Sequence, residues 1–197
     1  MPATSTRRDV ARNHERLVSA AREVFARLGP DAPLEEIARA ADVSRTTLHR
    51  HFTDRDALAT AVLQENVADI EARAAALADS DDGAVELFHY MFDVQLRAPW
   101  LARVTARHDR TDLGELARRT TAAIEPLVAR ARARGIVHAS VTTDDVLLSL
   151  PMAMAAHAAD ALAARPHRPR RIREILHRGL FTTDPSDRAM PAPPEEE

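Results

Sequence analysis

The sequence predicts an all-α chain, in which an N-terminal three-helix helix-turn-helix unit is joined by one long helix to a C-terminal helical domain. Three observations carry this. Glycine is scarce, at 5 of 197 residues, and long Ala/Leu/Arg/Glu stretches dominate. Residues 34 to 58, LEEIARAADVSRTTLHRHFTDRDAL, read as two short helices around a tight turn and the start of a third. From there a helical pattern continues without a break to about residue 78, some 24 residues or about 36 Å of helix.

Residues 1 to 10 look disordered, with Arg7, Arg8 and Arg12 close to the first helix. That helix is expected over 13–28. Leu17, Val18, Ala21, Val24, Phe25 and Leu28 form its apolar stripe, and Gly29-Pro30 stops it. In the second helix Leu34, Ile37, Ala38 and Ala41 recur at i, i+3, i+4 and i+7, one face of an α-helix. Asp42-Val43-Ser44 breaks the pattern. Aspartate tolerates a left-handed backbone better than most residues. Val43 can tuck back under the turn, and Ser44 is a good N-cap. In the third helix Leu48 and Phe52 face inward. At about 100° per residue Thr46 and Arg50 point away from them, flanked by Thr47 and His49, with Arg45 in the first turn. None of these outward residues drives burial, and all can bond base edges or phosphates. The arrangement is a helix-turn-helix.

Thr53 is expected to cap the fourth helix, with Asp56 three residues on as in a capping box. The free N–H groups at that start suit a phosphate, and Arg55 adds a full charge. Asp79 to Gly83 is a loop. Further helices are expected at about 84–97, 100–109, 113–134, 144–163 and 169–181, with Thr143-Asp144 a capped start. Pro126 and Pro151 fall inside helical patterns, where each should kink its helix and free a carbonyl. Residues 183–197, ending PAPPEEE, read as a disordered acidic tail. The expected division is a head at 9–60, a helical body at 61–182 and this tail.

The net charge of −3 is unevenly placed. Residues 1 to 60 carry 10 Arg against 9 acids, residues 61 to 181 carry 16 of each, and residues 182 to 197 carry 1 Arg against 5 acids. The head is only weakly basic, so its charges must be well placed rather than numerous. The chain has no cysteine and no lysine. That excludes disulfides, zinc–thiolate sites, P-loop lysines and Schiff-base lysines together. G-x-S-x-G, G-x-G-x-x-G, Walker and H-E-x-x-H sequences are absent, so neither an enzyme nor a metal site is expected. No cofactor is expected either. The N-terminus lacks the apolar core of a secretory signal, and the apolar segment around 146 to 164 is interrupted by His157 and Asp160, so a cytoplasmic chain with no membrane partner is expected.

In the body, Phe88, Tyr90, Phe92 and Trp100 concentrate the few aromatic residues of a chain that has 5 Phe, 1 Tyr and 1 Trp. With Met91, Gln95, Val104, His108, Met152 and His157, the residues Phe88, Phe92 and Trp100 are candidates to line a ligand cavity; plain core packing is the alternative. Residues 144 to 181 are candidates for a dimer interface. MAMAAHAADALAA offers a small-residue face, and Leu176, Leu180 and Phe181 offer larger anchors.

The segments RLVSAAREVFARLG, LEEIARAADVS and TTLHRHFTDRDAL, in this order and spacing, resemble the TetR family of bacterial transcriptional regulators. The resemblance covers the first third of the chain; the rest follows the family's general plan of a variable helical body. It implies a homodimeric repressor on double-stranded DNA with a near-palindromic operator, released when a small-molecule ligand binds the body. By matching position, Arg45, Thr46 and Thr47 would read bases from a helix capped by Ser44. His49 and Arg55 would hold phosphates, and Arg50 and His51 could do either. Three departures stand out: Asp42 where the family commonly has glycine, His49 where tyrosine is usual, and Arg55 where lysine is usual. Other readings are an activator, or a helical interaction module that no longer reads DNA.

Overall fold

A computed structural model describes residues 3–101, 104, 110–162 and 169–183. Eight named helices run in order: α1 Ala3–Leu28, α2 Leu34–Ala40, α3 Arg45–His51, α4 Arg55–Ala76, α5 Gly83–Arg97, α6 Arg110–Ala133, α7 Thr143–Leu162 and α8 Pro169–Leu180. Among the described residues the β structure is one isolated antiparallel bridge, Val137 to Phe181, which ties the end of α8 to the loop after α6. Most of the helix expected at 100–109 and nearly all of the acidic tail lie outside the described residues.

The apolar stripes assemble two cores. The first joins Leu17, Ala21, Val24 and Phe25 of α1 to Ile37, Leu48, Phe52, Leu58 and Val62. Trp100, Val104 and Leu116 also belong to it. The second gathers Phe88, Met91 and Phe92 of α5, Ile124, Leu127 and Val128 of α6, Val146 and Leu150 of α7, and Leu180 and Phe181. Helix α4 is shared. Its first thirteen residues supply Leu58, Val62 and Val67 to one core, and its end supplies Ala74 and Leu77 to the other. Arg22 of α1 also reaches Glu65 at 3.0 Å and Asp69 at 3.2 Å on α4. The long helix is therefore bolted to the head by packing and by charge.

The turn expectations hold in detail. Asp42 has φ 50° and Gly29 has φ 84°. Val43 donates its N–H to Ala38 O at 3.0 Å and packs partly buried against the head core. Ser44 caps α3, its Oγ accepting from Thr47 N–H at 3.0 Å.

Four expectations need correction. Helix α1 begins at Ala3 rather than 13, so most of the segment expected to be disordered is helical. Residues 3–12 contain no Gly or Pro, and Asp9 pairs with Arg12 at 2.8 Å one turn on. Helix propensity and i,i+3 pairing sustain the turns, whereas a reading by apolar periodicity misses them because Val10 stays exposed. The cap of α4 is Asp54, not Thr53. Asp54 Oδ1 accepts from Ala57 N–H at 2.8 Å, and Thr53 donates its hydroxyl to Asp54 Oδ2 at 3.1 Å. The Ala57 amide, then the Thr53 hydroxyl, hold the Asp54 carboxyl below the usual aspartate range. The start of α7 is capped one residue earlier than expected, by Thr142. Its N–H and hydroxyl donate to Asp145 Oδ2 at 2.8 and 2.7 Å, and Asp145 N–H donates back to Thr142 Oγ1 at 3.3 Å, a capping box. Finally, Leu180 and Phe181, expected as dimer anchors, are buried within the chain's own second core.

Candidate nucleic-acid interface

Helix α3 is seven residues long and is held from beneath by two side chains. Leu48 is fully buried and Phe52 is 5% exposed. With these fixed, the helical period leaves Arg45, Thr46, His49 and Arg50 exposed on the outer face. Thr47 is half-buried, and its hydroxyl lies 2.9 Å from Ser44 Oγ, so both hydroxyls are engaged in the cap. His51 turns inward. Its ring lies 6.2 Å from His14 of α1, and Phe52 stacks 5.0 Å from that same His14. Burial, then the neighbouring His14, lower the His51 pKa, which favours the neutral ring. His51 therefore sits at the inner edge of the face, while Arg50 and His49 stand on it.

Four arginines around this face, Arg16, Arg39, Arg45 and Arg55, have a carboxylate beside them, a feature that sequence reading missed. Arg45 Nη1 lies 2.9 Å from Glu35 Oε1 of α2. Arg16 Nη2 reaches both the Asp42 carboxylate at 3.1 Å and its backbone carbonyl at 3.3 Å. Arg39 pairs with Glu36 one turn back. Arg55 lies 3.9 Å from Asp31. The partners come from α2 and from the turns that flank it; apart from Arg39 and Glu36 on one helix, they lie ten to twenty-six positions away in sequence, and only the crossing of the helices brings those pairs together. All are at least partly exposed, so each pair is weak and leaves the guanidinium able to exchange partners.

The expected ligand-lining residues do not converge. Phe88, Met91 and Phe92 are buried in the second core, with Gln95 half-buried beyond them on α5. Trp100 and Val104 belong to the first core, where the Trp100 ring lies 5.1 Å from Phe25 of α1. Met152 is 57% exposed on α7, and His157 is half-buried on the same helix. His108 lies outside the described residues. An open cleft of about 450 Å³ lies elsewhere, between α4 and α6. Its floor includes Ala74, Ala75, Ala78, Ala122, Ala123 and Leu127, and its rim carries Glu71, Arg118, Arg119 and Arg130. Arg119 grips Glu71 with two bonds of 2.9 and 2.6 Å. Pro126, which cannot donate a backbone N–H, also lines it.

Sequence reading also missed His177. It stacks on His89 with ring centroids 5.1 Å apart, and His89 Nε2 lies 3.1 Å from His177 Nδ1. The two sit on different helices, so no spacing rule finds them. No cluster of three or more potential metal-ligating side chains occurs among the described residues. No helix among them is long and apolar enough to cross a membrane.

A capped short helix carrying exposed Arg, Thr and His, set on a helical body by a long shared helix, defines a helix-turn-helix regulator fold. Residues 17–62 match the model of the bacterial regulatory proteins, tetR family. Solved structures share the fold over most of the chain. A TetR transcription regulatory protein from Mycobacterium vanbaalenii is 24% identical, over 90% of this chain and 99% of that one, with a TM-score of 0.65. A TetR transcriptional regulator from Streptomyces coelicolor is 24% identical, over 85% and 98%, with a TM-score of 0.64. The fatty acid degradation regulator FadR from Bacillus halodurans is 15% identical, over 84% and 92%, with a TM-score of 0.62. No curated protein matches the chain. The N-terminal segment 17–62 thus carries the tetR-family pattern, and the fold of the chain as a whole is the one seen in solved TetR regulators.

Proposed function

We propose that this protein is a homodimeric transcriptional repressor that reads a near-palindromic operator with α3 and leaves it when a small molecule binds the body. The observation that carries the DNA-reading part is the outer face of α3. Arg45, Thr46, His49 and Arg50 are exposed there on a helix whose opposite side is anchored by Leu48 and Phe52. In this reading Arg45, Thr46 and Thr47 meet bases, and His49 and Arg55 meet phosphates. Arg50 serves either, and Ser44 holds the start of the helix in register. The head is the segment 9–60 and the body 61–182.

Support for the dimer comes from Leu148, Met152 and Ile175, which are 59%, 57% and 55% exposed on α7 and α8. Large apolar side chains left bare on neighbouring helices suit a partner surface. Support for ligand control comes from the cleft along α4. Its volume is in the range of small-molecule sites, and an occupant there would press on the helix that enters the head. Two heads must sit about 34–36 Å apart to enter successive major grooves, so a small tilt of α4 is enough to lose one contact.

The test is binding-site selection from a random duplex pool. The reading expects a near-palindrome to be enriched, and it expects Arg55→Ala to weaken enriched and random duplexes by the same factor. Failure to enrich any sequence would favour an interaction module that does not read bases.

A further inference from the structure

The pair between Arg45 and Glu35 has a consequence for base selection, and it rests on the reading that Arg45 meets bases. A guanidinium carries five N–H donors in a rigid plane. Glu35 takes Nη1 at 2.9 Å, which leaves further donors free for a second planar acceptor. Glu35 projects from α2, which is packed into the head core through Ile37 and Ala38. Arg45 is the first residue of α3, beyond the turn held by Asp42, Val43 and the Ser44 cap. The rigid corner of the motif therefore fixes the backbone positions from which the carboxylate and the guanidinium reach each other.

We propose that Glu35 is a positioning residue for sequence recognition: it holds the Arg45 guanidinium in plane so that its remaining donors present a bidentate edge to a base such as guanine. Two physical effects combine. A long side chain that is already held loses less rotamer freedom on binding. A carboxylate beside the arginine also repels phosphate, so Arg45 is a poorer anchor for DNA of arbitrary sequence. Both effects favour base contact over backbone contact. They also suit a head with 10 Arg against 9 acids in its first sixty residues, which cannot rely on bulk charge for its grip.

The experiment measures fluorescence anisotropy on the duplex enriched from the random pool and on a scrambled duplex. The proteins are the parent chain, Glu35→Gln, Arg45→Ala and the double variant, and thermal melts confirm that each is folded. Glu35 is exposed and glutamine has its shape, so the fold should be unaffected. Glu35→Gln is expected to lower the preference for the enriched duplex roughly two- to five-fold, within the range of a single exposed pair. The scrambled duplex should bind no more weakly than before. In the Arg45→Ala background the same change should leave the preference unmoved. A rise in preference with Glu35→Gln would mean that the carboxylate only sequesters the arginine, and would overturn the proposal. An equal gain on both duplexes, or an undiminished effect without Arg45, would reduce it to general charge and overturn it too. If Arg45→Ala alone leaves base preference intact, the base-reading role of Arg45 falls, and the proposal with it.

Discussion

At Asp42 the backbone turns left-handed with φ 50°, the one non-glycine residue to do so among those described. A Cβ in that region costs about 1 kcal/mol or more, and aspartate is among the residues that bear it best. Its carboxylate and carbonyl are meanwhile used by Arg16. These effects oppose each other in Asp42→Gly, which relieves the backbone but loses an exposed pair, so its stability should stay within about 0.5 kcal/mol of the parent. Asp42→Val keeps the strain and loses the pair; it should cost about 1–2 kcal/mol in urea unfolding. Equal values for the two would show that the turn is not strained. Residue-scale features of this kind were legible because they are local. The turn residue, the Ser44 cap and the Leu48 and Phe52 anchors each follow from neighbours within four positions. The Asp54 cap was not, because Thr53 and Asp54 are both good caps and only the geometry of the turn selects between them.

Among the elements, the joints between helices hold what periodicity could not show. Gly83 opens α5 where a Cβ would stand 2.7 Å from Leu77 O and 3.2 Å from Leu127 Cδ2. The carbonyl belongs to the C-cap of α4 and cannot swing away. Gly83→Ala should therefore destabilise the body by about 1–3 kcal/mol despite the better helix propensity of alanine; a stabilised variant would show that the α4–α5 corner yields freely. At the α5–α8 joint, burial, then His177, then Arg173 lower the His89 pKa to about 4. The unfolded chain then binds more protons than the folded one between about 4 and the ordinary histidine value of 6.5. Stability from this site is intact above that window and is lost as the pH falls through it, by on the order of 1–3 kcal/mol. Urea midpoints for the parent should fall more steeply from pH 7 to pH 5 than those of His89→Gln. Parallel slopes would remove His89 from the account. Helix positions themselves were legible to within a few residues from α2 onward, since each carries an apolar stripe. The first three turns of α1 were not, since their sequence, ATSTRRDVAR, carries no apolar stripe.

For the whole molecule, the all-helical fold and the helix-turn-helix head were both readable from order and spacing. The composition of the two cores was not. Trp100 and Phe92 look alike in sequence, yet one packs on Phe25 in the head and the other lies in the body core. The cleft along α4 was equally hidden, because its floor is alanine, which marks core and groove alike. The bare side chains on α7 and α8 give the assembly its test. Leu148→Arg combined with Met152→Arg should convert a dimer to a monomer by sedimentation at micromolar concentration without lowering thermal stability, since both side chains are exposed in the single chain. A monomeric parent would end the dimer proposal.

The most direct measurement of the central claim is the affinity for the enriched duplex against a scrambled one, followed across salt concentration for the parent and for Thr46→Ala. Thr46 stands on the outer face of α3, opposite its buried anchors. The account expects at least about a thousand-fold preference for the enriched duplex at physiological salt, with log affinity falling linearly as log salt rises. It expects Thr46→Ala to lose affinity for the enriched duplex alone. Equal binding of the two duplexes by the parent, or equal losses on both for the variant, would contradict the claim that this face reads DNA.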